Sequence, residues 1–129
     1  MEEIKVLLVD DEEEFSSALA ERLSLRGFST LTSCSGEEAL EMIEAEPPQV
    51  VVLDKLMPGL SGKDLLARIR SKYPRIAVIV LTGHAPVDSG EMQSGLESFA
   101  YLMKPVNIDE LIQLISSAVR DLRQDVDPS

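Results

Sequence analysis

Three stretches of this chain are apolar almost without interruption: Ile4 to Asp10 (IKVLLVD), Val50 to Asp54 (VVVLD) and Ala77 to Gly83 (AVIVLTG). Each is short and rich in β-branched residues. None alternates as a strand with one wet face does, so each predicts a strand buried on both faces. Ser29 to Cys34 (STLTSC) and Phe99 to Lys104 (FAYLMK) are more mixed and predict weaker strands. Between the strands the spacing of apolar residues changes to threes and fours. The clearest case is Ile108, Leu111, Ile112, Ile115, Ala118, Val119 and Leu122, the buried stripe of an amphipathic helix.

Punctuation agrees with this periodicity. Side-chain oxygens followed three residues later by a carboxylate mark helix starts at Asp11 (with Glu14), Ser35 (with Glu38), Ser61 (with Asp64), Asp88 (with Glu91) and Asn107 (with Glu110). Only Ser35 with Glu38 is a proper capping box. Gly27 follows the first helix, Pro47-Pro48 ends the second and Pro74 stops the third. The helix expected over 88–97 holds Ser89, Gly90, Ser94 and Gly95, poor helix formers, and should be the least stable. Strands thus alternate with helices, and connections of this length between parallel strands must cross a sheet face. The fold class is α/β, doubly wound, with five parallel strands and helices on both faces.

Composition narrows the picture. With 129 residues, 44% apolar and 27% charged, the chain can bury one core as a single domain. No apolar run reaches the roughly 20 residues of a membrane helix, and the start lacks the layout of a secretory signal, so a cytoplasmic protein is expected. The formal charge of −11 disfavours direct binding of nucleic acid or an anionic membrane. Cys34, the single cysteine, reads as a small buried hydrophobe without chemistry.

Candidate chemistry collects at the strand ends. In an open parallel sheet the functional crevice lies beyond the carboxyl ends of the strands. Those ends carry Asp10 and Asp11, Asp54, Thr82 and Lys104. Asp11 alone could be only a helix cap. Taken together, three carboxylates in one crevice repel and call for a cation, and hard oxygen donors select Mg²⁺ or a similar ion. Three aspartates, one lysine and a divalent ion sum to zero formal charge, so the site can receive an anion. A carboxylate can attack phosphorus while cation and hydroxyl stabilise the equatorial oxygens, and the central Asp54 is the candidate nucleophile.

The motifs VLLVDDE (Val6 to Glu12), VVLDKLMPGLSG (Val51 to Gly62), VLTG (Val80 to Gly83) and YLMKP (Tyr101 to Pro105) resemble, in order and spacing, those of receiver domains of bacterial two-component response regulators. The resemblance covers Lys5 to about Leu122. It implies a flavodoxin-like strand order 2-1-3-4-5 and a phosphorylation switch rather than an enzyme. Asp54 would be the phosphoacceptor, and Asp11, Asp54 and the Leu56 carbonyl would hold Mg²⁺ or Mn²⁺, with Asp10 acting through water. Thr82 and Lys104 would contact the phosphoryl group, Tyr101 would be the switch aromatic, and Lys104-Pro105 would be a cis peptide bond. Phosphorylation would draw Thr82 and Lys104 inward and reshape the face formed by the fourth helix, fifth strand and fifth helix.

The implied donor is a sensor histidine kinase or a phosphotransfer protein, and the implied output is an unidentified protein partner. A phosphorelay intermediate and a receiver cut from a larger regulator are the alternatives. The receiver is expected over residues 1–123, followed by a polar tail over 124–129. Several positions depart from the usual pattern: Lys55 after the phosphoacceptor, Leu56 and His84 at variable rim positions, and Glu97 to Ala100 where an acidic stretch is common. Apolar Leu56 is expected to slow loss of the phosphoryl group, and His84 could meet a phosphodonor. Two rivals share the fold or the chemistry. A flavin-binding module would need hydroxyls and amides in the first loop, not Asp10-Asp11-Glu12. An aspartate-nucleophile phosphohydrolase would need a substrate pocket or cap.

Overall fold

The computed structural model describes residues 3–54, 62–82, 100–103 and 105–126. Strands β1 (Lys5–Val9), β2 (Ser29–Ser33), β3 (Val50–Asp54), β4 (Ala77–Thr82) and β5 (Ala100–Met103) alternate with helices α1 (Glu13–Leu25), α2 (Gly36–Ala45) and α3 (Gly62–Lys72), and a last helix spans Ile108–Val126. The strands form one sheet in the order β2-β1-β3-β4-β5, parallel at every pairing, as expected. The helix expected over 88–97 lies outside the described residues.

The uninterrupted apolar runs follow from the two-sided burial. In β1, Val6 and Leu8 face one core while Leu7 and Val9 face the other; β3 divides Val50 and Val52 from Val51 and Leu53 in the same way. Leu19 and Leu23 of α1, with Leu111, Ile115, Ala118 and Val119 of the last helix, close the first core. Ala39 and Ile43 of α2, with Leu65, Leu66 and Ile69 of α3, close the second. In β1 and β3 the residues short of the strand ends face a helix layer on either side, which favours apolar side chains on both faces.

Local chemistry sets the helix ends. Ser35 caps α2, its Oγ accepting from the Glu38 amide at 3.1 Å, while Glu38 Oε1 accepts from the Cys34 amide at 3.0 Å. Asn107 caps the last helix, its Oδ1 accepting from the Glu110 amide at 3.1 Å. At the end of α1, Gly27 takes φ +94° and donates to the Ser24 carbonyl, while Phe28 donates to the Leu23 carbonyl. These paired bonds are a Schellman motif, and its apolar contact is supplied by Phe28 and Leu23 in the same core. At the amino ends of the strands, Lys5 at the start of β1 pairs with Glu46 just after α2.

Two expectations change. Helix α1 opens at Glu13 with Glu12 as its cap residue, rather than at the expected Asp11 cap, and no side chain makes the cap bond. Cys34 is exposed rather than buried. The edge strand β2 ends at Ser33, whose side chain takes the inward position and donates to the Ser35 carbonyl at 2.8 Å, so strict alternation turns Cys34 outward.

Candidate functional site

The two central strands deliver Asp10 and Asp54 to the same rim. Val9 and Leu53 are register partners, so Asp10, one residue past Val9, and Asp54, one past Leu53, leave the sheet side by side. Both are nearly inaccessible, 3% and 4% exposed, although each is a carboxylate at the end of a strand. Burying charged groups at this depth is costly unless other groups compensate them, which marks the rim as a place where charge is managed.

Asp10 is held from two directions. Its backbone amide donates to the Ser33 carbonyl at 3.0 Å, extending the β1–β2 ladder by one step. Its Oδ1 accepts from the amide of Glu12 at 2.8 Å, which orients the carboxylate and fixes the chain as it turns into α1. Carboxylate oxygens of Asp10, Glu12 and Asp54 lie within 4.8 Å of one another. Asp11, expected among the ligands, is exposed at the same strand end and is not part of this group. Glu12 is the third member of the group. The motif did not signal this, because the chain bends at Asp11 as it turns into α1, and the spacing of an extended strand no longer applies there.

The donor set suits a hard divalent cation. Three carboxylates supply only oxygen, without the thiolate or imidazole that softer metals prefer, and their spacing lets one ion touch all of them. The group therefore fits Mg²⁺ or Mn²⁺.

Backbone register carries the remaining candidates to the same rim. Asp54 is paired with Leu81, so Thr82 lies one residue farther along β4, and Thr82 in turn is paired with Met103 of β5. Tyr101 lies on β5 opposite Val80. Thr82 and Tyr101 are thus placed by their backbones. Pro105 is exposed. Lys104, the Lys104-Pro105 peptide bond, Leu56 and His84 lie outside the described residues.

A doubly wound α/β domain with buried carboxylates at the carboxyl ends of its central strands belongs to the class that binds ligands at the sheet rim. The chain is a member of the response regulator receiver domain family, whose model matches residues 6–116. It is 32% identical over 121 residues to the DNA-binding transcriptional regulator NtrC of Klebsiella pneumoniae, covering 94% of this chain and 26% of that protein. Among solved structures, a response regulator receiver domain protein from Clostridium thermocellum superposes with a TM-score of 0.85 at 33% identity, covering 94% of this chain and 98% of the other. NtrX from Brucella abortus does so with a TM-score of 0.86 at 27% identity, covering 96% of this chain and 28% of the other. The chain spans about a quarter of the length of the curated relatives it matches.

Proposed function

We propose that Asp54 is the phosphoacceptor of this receiver domain and that its modification switches the affinity of the domain for a protein partner. The reading is carried by one observation: Asp54, 4% exposed at the end of the central strand β3, has its carboxylate grouped with those of Asp10 and Glu12. A carboxylate oxygen of Asp54 attacks phosphorus of a phosphohistidine or a small acyl phosphate. A new O–P bond forms as the donor's P–N or P–O bond breaks, and the leaving group departs with its electron pair.

Asp10, Asp11, Asp54 and the Leu56 carbonyl are the proposed cation-holding groups, with Mg²⁺ or Mn²⁺ supplying charge neutralisation for the phosphoryl oxygens when bound. Thr82 offers a hydroxyl to one phosphoryl oxygen, Lys104 offers a cation to another, and Tyr101 reports the change toward the face that includes β5. Leu56 and His84 flank the path of attacking water. The donor is a sensor histidine kinase or phosphotransfer protein in the cytoplasm. The relatives are larger response regulators, which supports the reading that this receiver controls an output region of a longer chain.

Incubation with acetyl phosphate and Mg²⁺, read by intact-protein mass spectrometry, should add one phosphoryl group to the wild type and none to Asp54→Asn. An adduct that persists in Asp54→Asn, or that forms equally in chelator, would sink the assignment.

A further inference from the structure

Helices α2 and α3 lie over the second core and carry opposite charge. In α2 (GEEALEMIEA) the exposed residues Glu37, Glu41 and Glu44 are spaced as one helical stripe, and no residue is basic. The last turns of α3 present Arg68, Arg70 and Lys72, all exposed, with Arg75 just beyond. Between the two helices runs an open groove of about 540 Å³. Half-buried Leu40, Ala67 and Tyr73 give it an apolar floor, and Glu44 borders it from α2 while Arg68 and Lys72 border it from α3.

Helix stability accounts for only one side of this pattern. Arg70 and Lys72 suit the carboxyl end of α3, where the helix dipole favours cations. Glu44 sits in the last turn of α2, where the dipole disfavours a carboxylate and no basic residue offsets it. Among the described residues the ion pairs are Lys5 with Glu46 and Arg26 with Asp109, so Glu44, Arg68 and Lys72 pair with no described neighbour.

We infer that this groove is an interface with a second copy of the chain, related by a two-fold axis that runs along the groove parallel to α2 and α3. Both helices run back against parallel strands and so point the same way. An axis along them lays α2 of one copy over α3 of the other. Because Glu44, Arg68 and Lys72 border one groove, they stand at the same height and meet across the axis as opposite charges, twice per dimer. A two-fold axis across the helices would instead stack α2 on α2, which the like charges oppose. Two chains of formal charge −11 repel at a distance, so the matched stripes and the apolar floor must supply the attraction at contact. The last helix closes the other core, so its face stays uncovered in such a dimer.

Sedimentation equilibrium of the full chain up to about 1 mM, a range that reaches weak association through a small interface, should show monomer in exchange with dimer. Glu44→Lys and Arg68→Glu each set like charges against each other across the axis, and each should weaken association on the order of tenfold or more. Both positions are exposed, and thermal melts check that the variants fold. The double variant with both changes restores opposite charges across the axis and should associate within about threefold of the wild type, as should an equimolar mixture of the two single variants. A dimer that neither reversal weakens, or a double variant as weak as the singles, would overturn the inference. So would a chain that stays monomeric throughout, an outcome that leaves the groove to an acidic segment of another protein.

Discussion

Side chains at the two ends of the sheet answer to different charges. At the carboxyl rim, Asp10, Glu12 and Asp54 bring like charges within 4.8 Å, where a pair repels by roughly 3–4 kcal/mol at an effective dielectric of about 20. Removing Asp54 as a charge therefore relieves part of that repulsion, besides taking away the proposed acceptor. Toward the other end, Lys5 bonds Glu46 and holds its carboxyl below the usual carboxylate range, the hydrogen bond contributing more than the bare charge. A folded-state pKa that is depressed gives stability that is present above the unfolded value, about 4.5, and is lost as pH falls through the lower folded value. Glu46→Gln should thus melt slightly below the wild type at pH 7, with the gap closing in strong acid. Since both partners are exposed, the gap is small; thermal melts across pH 2–7 check it, and a gap that widens on acidification would contradict the sign.

Elements in this fold are ended by local chemistry and held by the sheet. The turn after α1 depends on Gly27, whose φ of +94° suits glycine and strains any residue with a Cβ. An added Cβ would meet nothing within 4 Å, so the cost of Gly27→Ala is backbone strain alone, about 1–2 kcal/mol. Chemical denaturation should show this as a lower midpoint with an unchanged slope. A changed slope would mean that the substitution altered the packing of Phe28 and Leu23 as well. The cap of α2 works differently: Ser35 and Glu38 satisfy the amides of Glu38 and Cys34, which the helix start leaves open.

At the scale of the whole molecule, a cation bound in the crevice would be coupled to folding. The three carboxylates come from β1, from the turn into α1 and from β3, so the site exists only when the sheet is paired. An ion that binds the folded chain alone stabilises it by mass action, about 2.7 kcal/mol at a hundredfold excess over Kd, or on the order of 10 °C in Tm for a chain of this size. Differential scanning calorimetry with Mg²⁺ and with chelator should show that shift in the wild type and little of it in Asp54→Asn. An equal shift in both would place the stabilising ion elsewhere.

Much of this was legible from residue order. Short, continuous β-branched runs favour strands buried on both sides, and the spacing of Ile108 through Val119 marks a helix with one buried face. Ser35, Asn107, Gly27 and Pro74 marked their boundaries because caps and stops act over three or four residues. Asp10 and Asp54 could be placed at one rim because parallel strands all release their loops at the same edge. The grouping of Glu12 with Asp10 and Asp54 could not be read in this way. It depends on α1 starting one residue later than its acidic pattern suggests, and on an amide bond back to Asp10 that turns one side chain in and its neighbour out. Cys34 was misread for a related reason, since its exposure follows from where an edge strand stops. Sequence determines which groups are available at a strand end; which of them meet is decided by backbone turns and cross-strand neighbours, contacts between residues about 40 positions apart that no local pattern encodes.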